Sequence, residues 1–209
     1  MQNLFEKYRQ IVVFDIETTG FSPIDNDTIE FAAVVLKAEG ETFRVMNTEN
    51  VFVKPRGPIP QKITDLTNIT DEMIRNDSVS PQHLSTIIED LFTKDSLIVA
   101  YNIQFDIGFV YEVMKRHNPS FQFTADVLDL LTVYRAFHQY PHRLENAIET
   151  YAIKIPNSHR AIDDTMATAE LLKCMHRDKT ITPYINRVDY YKKYGLKGVR
   201  FDHITYMPR

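Results

Sequence analysis

The chain has 209 residues, 44% apolar and 25% charged, with a formal net charge of −4 at pH 7, proportions that suit one folded domain with room for an appendage. No apolar run approaches the roughly 18 residues of a membrane span, and the opening segment carries no apolar signal core. The only cysteine, Cys174, excludes an internal disulfide and a cysteine-based zinc site, so the expectation is a cytoplasmic protein with no membrane partner.

Ile11-Val12-Val13-Phe14 is apolar at every position and reads as a central strand covered on both faces. Thr18-Thr19-Gly20 then marks a turn. Residues 29–36 and 42–53 read as two further strands, with Glu39-Gly40-Glu41 as the hairpin between them. Pro55, Gly57, Pro58 and Pro60 break the chain into a loop. Ser80-Pro81 reads as an N-cap and first-turn proline, opening a helix that runs to about Phe92. Residues 97–101 form another buried strand. A helix over 105–116 follows, with Phe105, Phe109 and Val113 as its apolar stripe. Shorter helices are expected over 130–137 and 144–151, and a last one from Ala161 to Met175. Strands first, then strands alternating with helices, imply an α/β domain with a mixed sheet.

The charge is unevenly placed. Residues 179–209 hold seven Lys/Arg against two Asp/Glu, whereas residues 1–178 hold 17 basic against 26 acidic. The chain therefore divides at 178/179 into an acidic domain and a basic tail that contains five tyrosines. Basic groups interleaved with aromatics suit single-stranded nucleic acid, and packing on the domain or on a partner is the competing reading.

Three places carry chemistry. Asp15 and Glu17 end the first strand, and their i, i+2 spacing turns both carboxylates to one side. Such a pair repels itself without a cation and suits a hard ion. Asp106 falls in the first turn of a helix, where a carboxylate is also at home as a capping charge. His159-Arg160-Ala161-Ile162-Asp163-Asp164 precedes an apolar-striped helix, and its two aspartates point about 100° apart, so one metal takes only one of them. Histidine titrates near neutral pH and can take a proton from water.

In this order the three segments resemble the DEDDh 3′–5′ exonucleases, a family that includes the proofreading epsilon subunits of bacterial replicases. Phe14-Asp15-Ile16-Glu17-Thr18-Thr19-Gly20, Asn102-Ile103-Gln104-Phe105-Asp106 and the His159–Asp164 segment carry the likeness, supported by residues 63–70 as a nucleotide-contact loop and Val127-Leu128-Asp129 as a fifth-strand segment. The resemblance implies a ribonuclease H-like fold, a five-stranded mixed sheet flanked by helices. It implies two divalent ions, Mg²⁺ or Mn²⁺, with Asp15, Glu17 and Asp164 on the first, and Asp15 and Asp106 on the second. His159 becomes the general base, and histidine followed five residues later by aspartate selects Asp164 over Asp163. Thr18, Thr19, Leu66, Ile69, Asn102 and Phe105 become substrate contacts. Tyr101 stands where many relatives carry histidine, which alters the pocket edge and not the metal ligands.

The implied activity is stepwise hydrolysis from a DNA 3′ end, single-stranded or frayed, in proofreading within a polymerase assembly or in repair. An RNA-directed exonuclease of the same fold and a non-catalytic assembly module are the alternatives; the intact five-residue set argues against the latter.

Overall fold

The apolar run at 11–14 forms the centre of a sheet because both of its faces have something to bury. The computed structural model describes residues 4–40, 42–155 and 159–209. Its strands are β1 (Gln10–Thr18), β2 (Thr28–Glu39), β3 (Thr42–Val53), β4 (Ser78–Val79), β5 (Ser96–Ala100), β6 (Asp126–Asp129), β7 (Arg187–Tyr190) and β8 (Thr205–Pro208). Its α-helices are α1 (Gln61–Thr67), α2 (Asp71–Asn76), α3 (Pro81–Leu91), α4 (Ile103–His117), α5 (Leu130–Phe137), α6 (Leu144–Thr150) and α7 (Ala161–Asp178).

The main sheet runs β4-β3-β2-β1-β5-β6. β2 is antiparallel to both β1 and β3, whereas β5 is parallel to β1, β6 to β5, and β4 to β3. The mixed α/β architecture is the expected one, but the sheet has six strands, not five. The addition is β4, a two-residue edge that extends the end of β3. Two residues are too few to show a period-two pattern.

Alternation along β1 divides the core. Val12, Phe14 and Ile16 share one buried cluster with Leu84 and Ile88 of α3 and with Ile103 and Ile107 of α4. Ile11 and Val13 share the other with Leu171, Leu172 and Met175 of α7. Buried residues of α7 recur at three- and four-residue intervals, which lays one face of the helix on the sheet. Helices therefore cover both faces of β1.

The basic segment after α7 is folded onto this body. β7 and β8 pair in parallel, and Val188 and Ile204 join the β1–α4 core. The Asn186 side chain accepts from the Val127 amide at 2.9 Å and donates to Asp126 at 2.7 Å. Buried Asp189 takes Arg187 and Arg209, each at 2.8 Å. Among the described residues no helix is long and apolar enough to cross a membrane.

Candidate active site

The alternation that builds the core continues past it. Beyond Ile11 and Val13, on the α7 side of β1, come Asp15 and Glu17, while Ile16 stays in the opposite core. The first turn of α7 brings Asp164, 7% exposed, to the same place. One carboxylate oxygen from each of Asp15, Glu17 and Asp164 lies within 4.8 Å of the others. Asp163, a helical step of about 100° away, is not in that group.

Asp106 lies outside the trio but acts on it. It is 3% exposed on α4, and after burial its charge is the largest influence raising the Asp15 carboxyl, followed by Glu17, Asp164 and Glu30. Burial and the charges of Asp164, Glu30 and Asp106 push Glu17 up to about 8, against the opposing pull of Arg160. Asp106 is itself raised, chiefly by burial and also by Asp129, while its own amide and that of Ile16 oppose the shift. Hard oxygen donors crowded until they resist ionisation are a donor set completed by a divalent cation, and this acidic cluster fits one.

The second motif is aimed by Asp129. Asn102 begins α4 in the left-handed region (φ 74°), and the amides of Asn102 and Ile103 donate to Asp129 Oδ1 at 3.0 and 3.2 Å. The other oxygen of Asp129 accepts from the Thr132 amide at 3.1 Å, capping α5. One carboxylate thus fixes the start of two helices, one of which carries Asp106. The N-cap aspartate before an apolar helix was the available signal; its reach to α4 was not visible along the chain.

Glu30 was missed. It faces Glu17 across the β1–β2 ladder, is fully buried, and holds Arg160 through a fork at 2.8 and 3.1 Å. It also accepts from the Ala161 amide at 3.0 Å. This carboxylate anchors the first turn of α7 and hence the height of Asp164 above β1. A charged residue inside the otherwise apolar run at 29–36 was the signal.

His159 is exposed, with its backbone in the left-handed region (φ 53°), immediately before the Arg160 cap of α7. That conformation is uncommon outside glycine but is populated by histidine. Of the residues read as substrate contacts, Leu66 is 49% exposed on α1, whereas Ile69 is fully buried beside Ile29, Ile59 and Ile63. Thr18 and Thr19 use their hydroxyls on the turn: Thr18 donates to the Gly20 carbonyl at 2.7 Å, and Thr19 accepts from the Asp27 amide at 2.9 Å. A Cβ at Gly20 would stand 2.6 Å from Asn26 Oδ1 and would displace the side chain that accepts from the Ser22 amide at 3.0 Å. Asn102 and Phe105 line one groove, and Phe105 packs on Phe109 with ring centroids 5.2 Å apart. The Tyr101 hydroxyl donates to the His142 carbonyl at 2.8 Å, tying the end of β5 to the 138–143 loop.

The family model described as Exonuclease matches residues 12–172. The PolC-type DNA polymerase III of Caldanaerobacter subterraneus subsp. tengcongensis is 32% identical over 203 residues, covering 94% of this chain and 14% of that protein. The PolC-type polymerase of Clostridium perfringens is 38% identical over 168 residues, covering 78% and 11%. The chain therefore spans about a seventh or less of the length of these curated relatives. Escherichia coli Exonuclease I in complex with a dT13 oligonucleotide superposes with a TM-score of 0.70 at 25% identity, covering 83% of this chain and 42% of that one.

Proposed function

The chain belongs to the exonuclease family, and from that premise we propose that it is a metal-dependent 3′–5′ exonuclease that releases nucleoside 5′-monophosphates from single-stranded or frayed DNA ends. The observation that carries the reading is the convergence of Asp15, Glu17 and Asp164 within 4.8 Å at the strand end, beside buried Asp106. DNA is favoured over RNA because the matched relatives are DNA polymerases and a structural neighbour is an exonuclease with bound oligo-dT. The same relatives support a cytoplasmic role alongside a replicative polymerase.

Asp15, Glu17 and Asp164 would hold one Mg²⁺ or Mn²⁺, and Asp15 with Asp106 a second. When bound, such a pair neutralises the phosphate, acidifies the attacking water and stabilises the departing 3′-oxygen. His159, exposed beside the first turn of α7, takes the proton of the attacking water. Leu66 and Phe105 offer apolar surface to the terminal bases, and contact of that kind is indifferent to sequence.

The test uses dT20 and its RNA counterpart, labelled at either end, with Mg²⁺, Mn²⁺ or EDTA. The expected result is a 5′-labelled ladder shortening one nucleotide at a time, immediate release of a 3′ label as mononucleotide, slower cleavage of RNA, and no cleavage in EDTA. Internal cuts or EDTA-resistant cleavage reject the assignment; faster cleavage of RNA moves it to an exoribonuclease. A second expectation concerns His159→Ala. Loss of a general base lowers kcat by about 10²- to 10⁴-fold, with KM nearly unchanged and the acidic limb of the pH–rate profile altered. A wild-type kcat in that variant removes His159 from the chemistry.

A further inference from the structure

The acidic site sets a problem that the core does not solve. A polynucleotide extends beyond the reacting phosphate, and residues 1–178 carry 26 acidic against 17 basic side chains. Something of opposite sign has to hold the strand near the carboxylates.

A groove of about 430 Å³ is lined on one side by Asn102 and Phe105 of the second motif, which also carries Asp106. The C-terminal segment forms the other, through Tyr190, Tyr191 and Lys197. Residues 190–201 contain four Lys/Arg and no Asp/Glu. Asp189, which also borders the groove, is already neutralised by Arg187 and Arg209. Arg135 stacks its guanidinium 4.8 Å above the Tyr191 ring, Tyr194 meets Tyr191 edge-on at 6.3 Å, and the Lys193 ammonium lies 4.6 Å from the Tyr194 ring centre. Tyr194 is 63% exposed, and Phe21, which lines the groove, 85%.

This wall is fixed to the second motif. The Gln104 amide nitrogen donates to the carbonyls of Lys197 and Val199 at 2.9 and 2.8 Å, two residues from Asp106. Gly198 between them is in the left-handed region (φ 84°), where a larger residue would be strained.

We propose that residues 190–198 are the strand-holding wall of the active site and bind single-stranded DNA on the 5′ side of the scissile bond. Tyr191 and Tyr194 stack on bases, and Arg135, Lys193 and Lys197 meet phosphates. Aromatic rings interleaved with cations, anchored to the second motif through Gln104, suit this occupant because stacking tolerates any base while the cations follow the backbone. The proposal rests on the exonuclease reading.

The test compares wild type with the triple variant Lys193→Ala, Tyr194→Ala, Lys197→Ala, all at exposed positions. Two substrates are used with Mg²⁺ or Mn²⁺: dT12, and the p-nitrophenyl ester of dTMP, which is too short to reach the wall. The expected result is a KM for dT12 at least tenfold higher, a salt dependence weakened by roughly one counterion or more, and unchanged hydrolysis of the ester. Wild-type KM and salt dependence in the variant overturn the proposal and leave the segment to a protein partner. Equal losses on dT12 and the ester also overturn it, by showing a merely structural role. If wild type cleaves neither substrate, the exonuclease reading fails first and the wall falls with it.

Discussion

Asp15→Asn and Asp164→Asn each lower kcat on single-stranded DNA by on the order of 10⁴-fold, and each makes the metal-free protein more stable at pH 8. The two effects have one cause. Asp15, Glu17 and Asp164 crowd within 4.8 Å, and Asp106 adds its charge from α4. That arrangement suits a bound cation and is costly without one. Removing one charge spoils the donor set but relieves repulsion, so a gain of about 1–3 kcal/mol is expected in EDTA at pH 8. Steady-state kinetics and denaturant unfolding check the pair. A variant that is both inactive and less stable in EDTA shows that the carboxylate has a structural role instead, and activity within tenfold of wild type removes the residue from the site.

The pH dependence follows with a definite sign. The folded protein holds Glu17 at about 8, above its ordinary 4.5, and raises Asp15 and Asp106 as well. Between those limits the folded state binds more protons than the unfolded one, so stability falls as pH rises. The penalty is absent below about pH 4 and, for Glu17, fully developed above about pH 8. Saturating Mg²⁺ should flatten this slope, and binding at pH 7 should release protons, which calorimetry in buffers of different ionisation enthalpy measures directly. A metal-free stability that rises from pH 5 to 8 contradicts the electrostatic picture of the site.

The local pattern made much of this legible. The apolar run at 11–14 marked the central strand because burial on both faces leaves no polar position. Helix α5 has the expected bounds, and α7 the expected start, because each begins where an apolar stripe meets a turn. The i, i+2 rule put Asp15 and Glu17 on one face, and the 100° step separated Asp164 from Asp163. What escaped was short or distant. α1 and α2, of seven and six residues, follow a proline-rich loop and are too brief for a helical period to stand out. β7 and β8 pair across fourteen intervening residues, and nothing local in either announces the other. Glu30 shows the limit most clearly. Its role comes from the β1–β2 register and from Arg160, 130 residues away in the chain.

That ion pair yields the second large expectation. Glu30 is fully buried, while the Arg160 side chain is 28% exposed, so the two alanine variants are not equivalent. Glu30→Ala leaves a guanidinium that can turn toward water, but strips the Ala161 amide of its acceptor at the first turn of α7. Arg160→Ala leaves a buried carboxylate without its counter-ion opposite Glu17, in a site already overcharged, and removes a cation that lowers Glu17. Breaking a buried pair costs about 3–5 kcal/mol, with Arg160→Ala at the upper end and Glu30→Ala at the lower. The double variant Glu30→Met, Arg160→Met should recover most of that stability, because no charge is stranded. It should not recover activity, because α7 then lacks the anchor that sets Asp164 over β1. A double-mutant cycle closed by Glu30→Ala, Arg160→Ala separates the alternatives. A coupling above about 2 kcal/mol, with metal affinity still weakened in the double variant, assigns the pair to positioning the site. A coupling below about 1 kcal/mol is that of an ordinary exposed pair, and leaves the placement of Asp164 to the packing of Thr165 and Leu171 against the sheet.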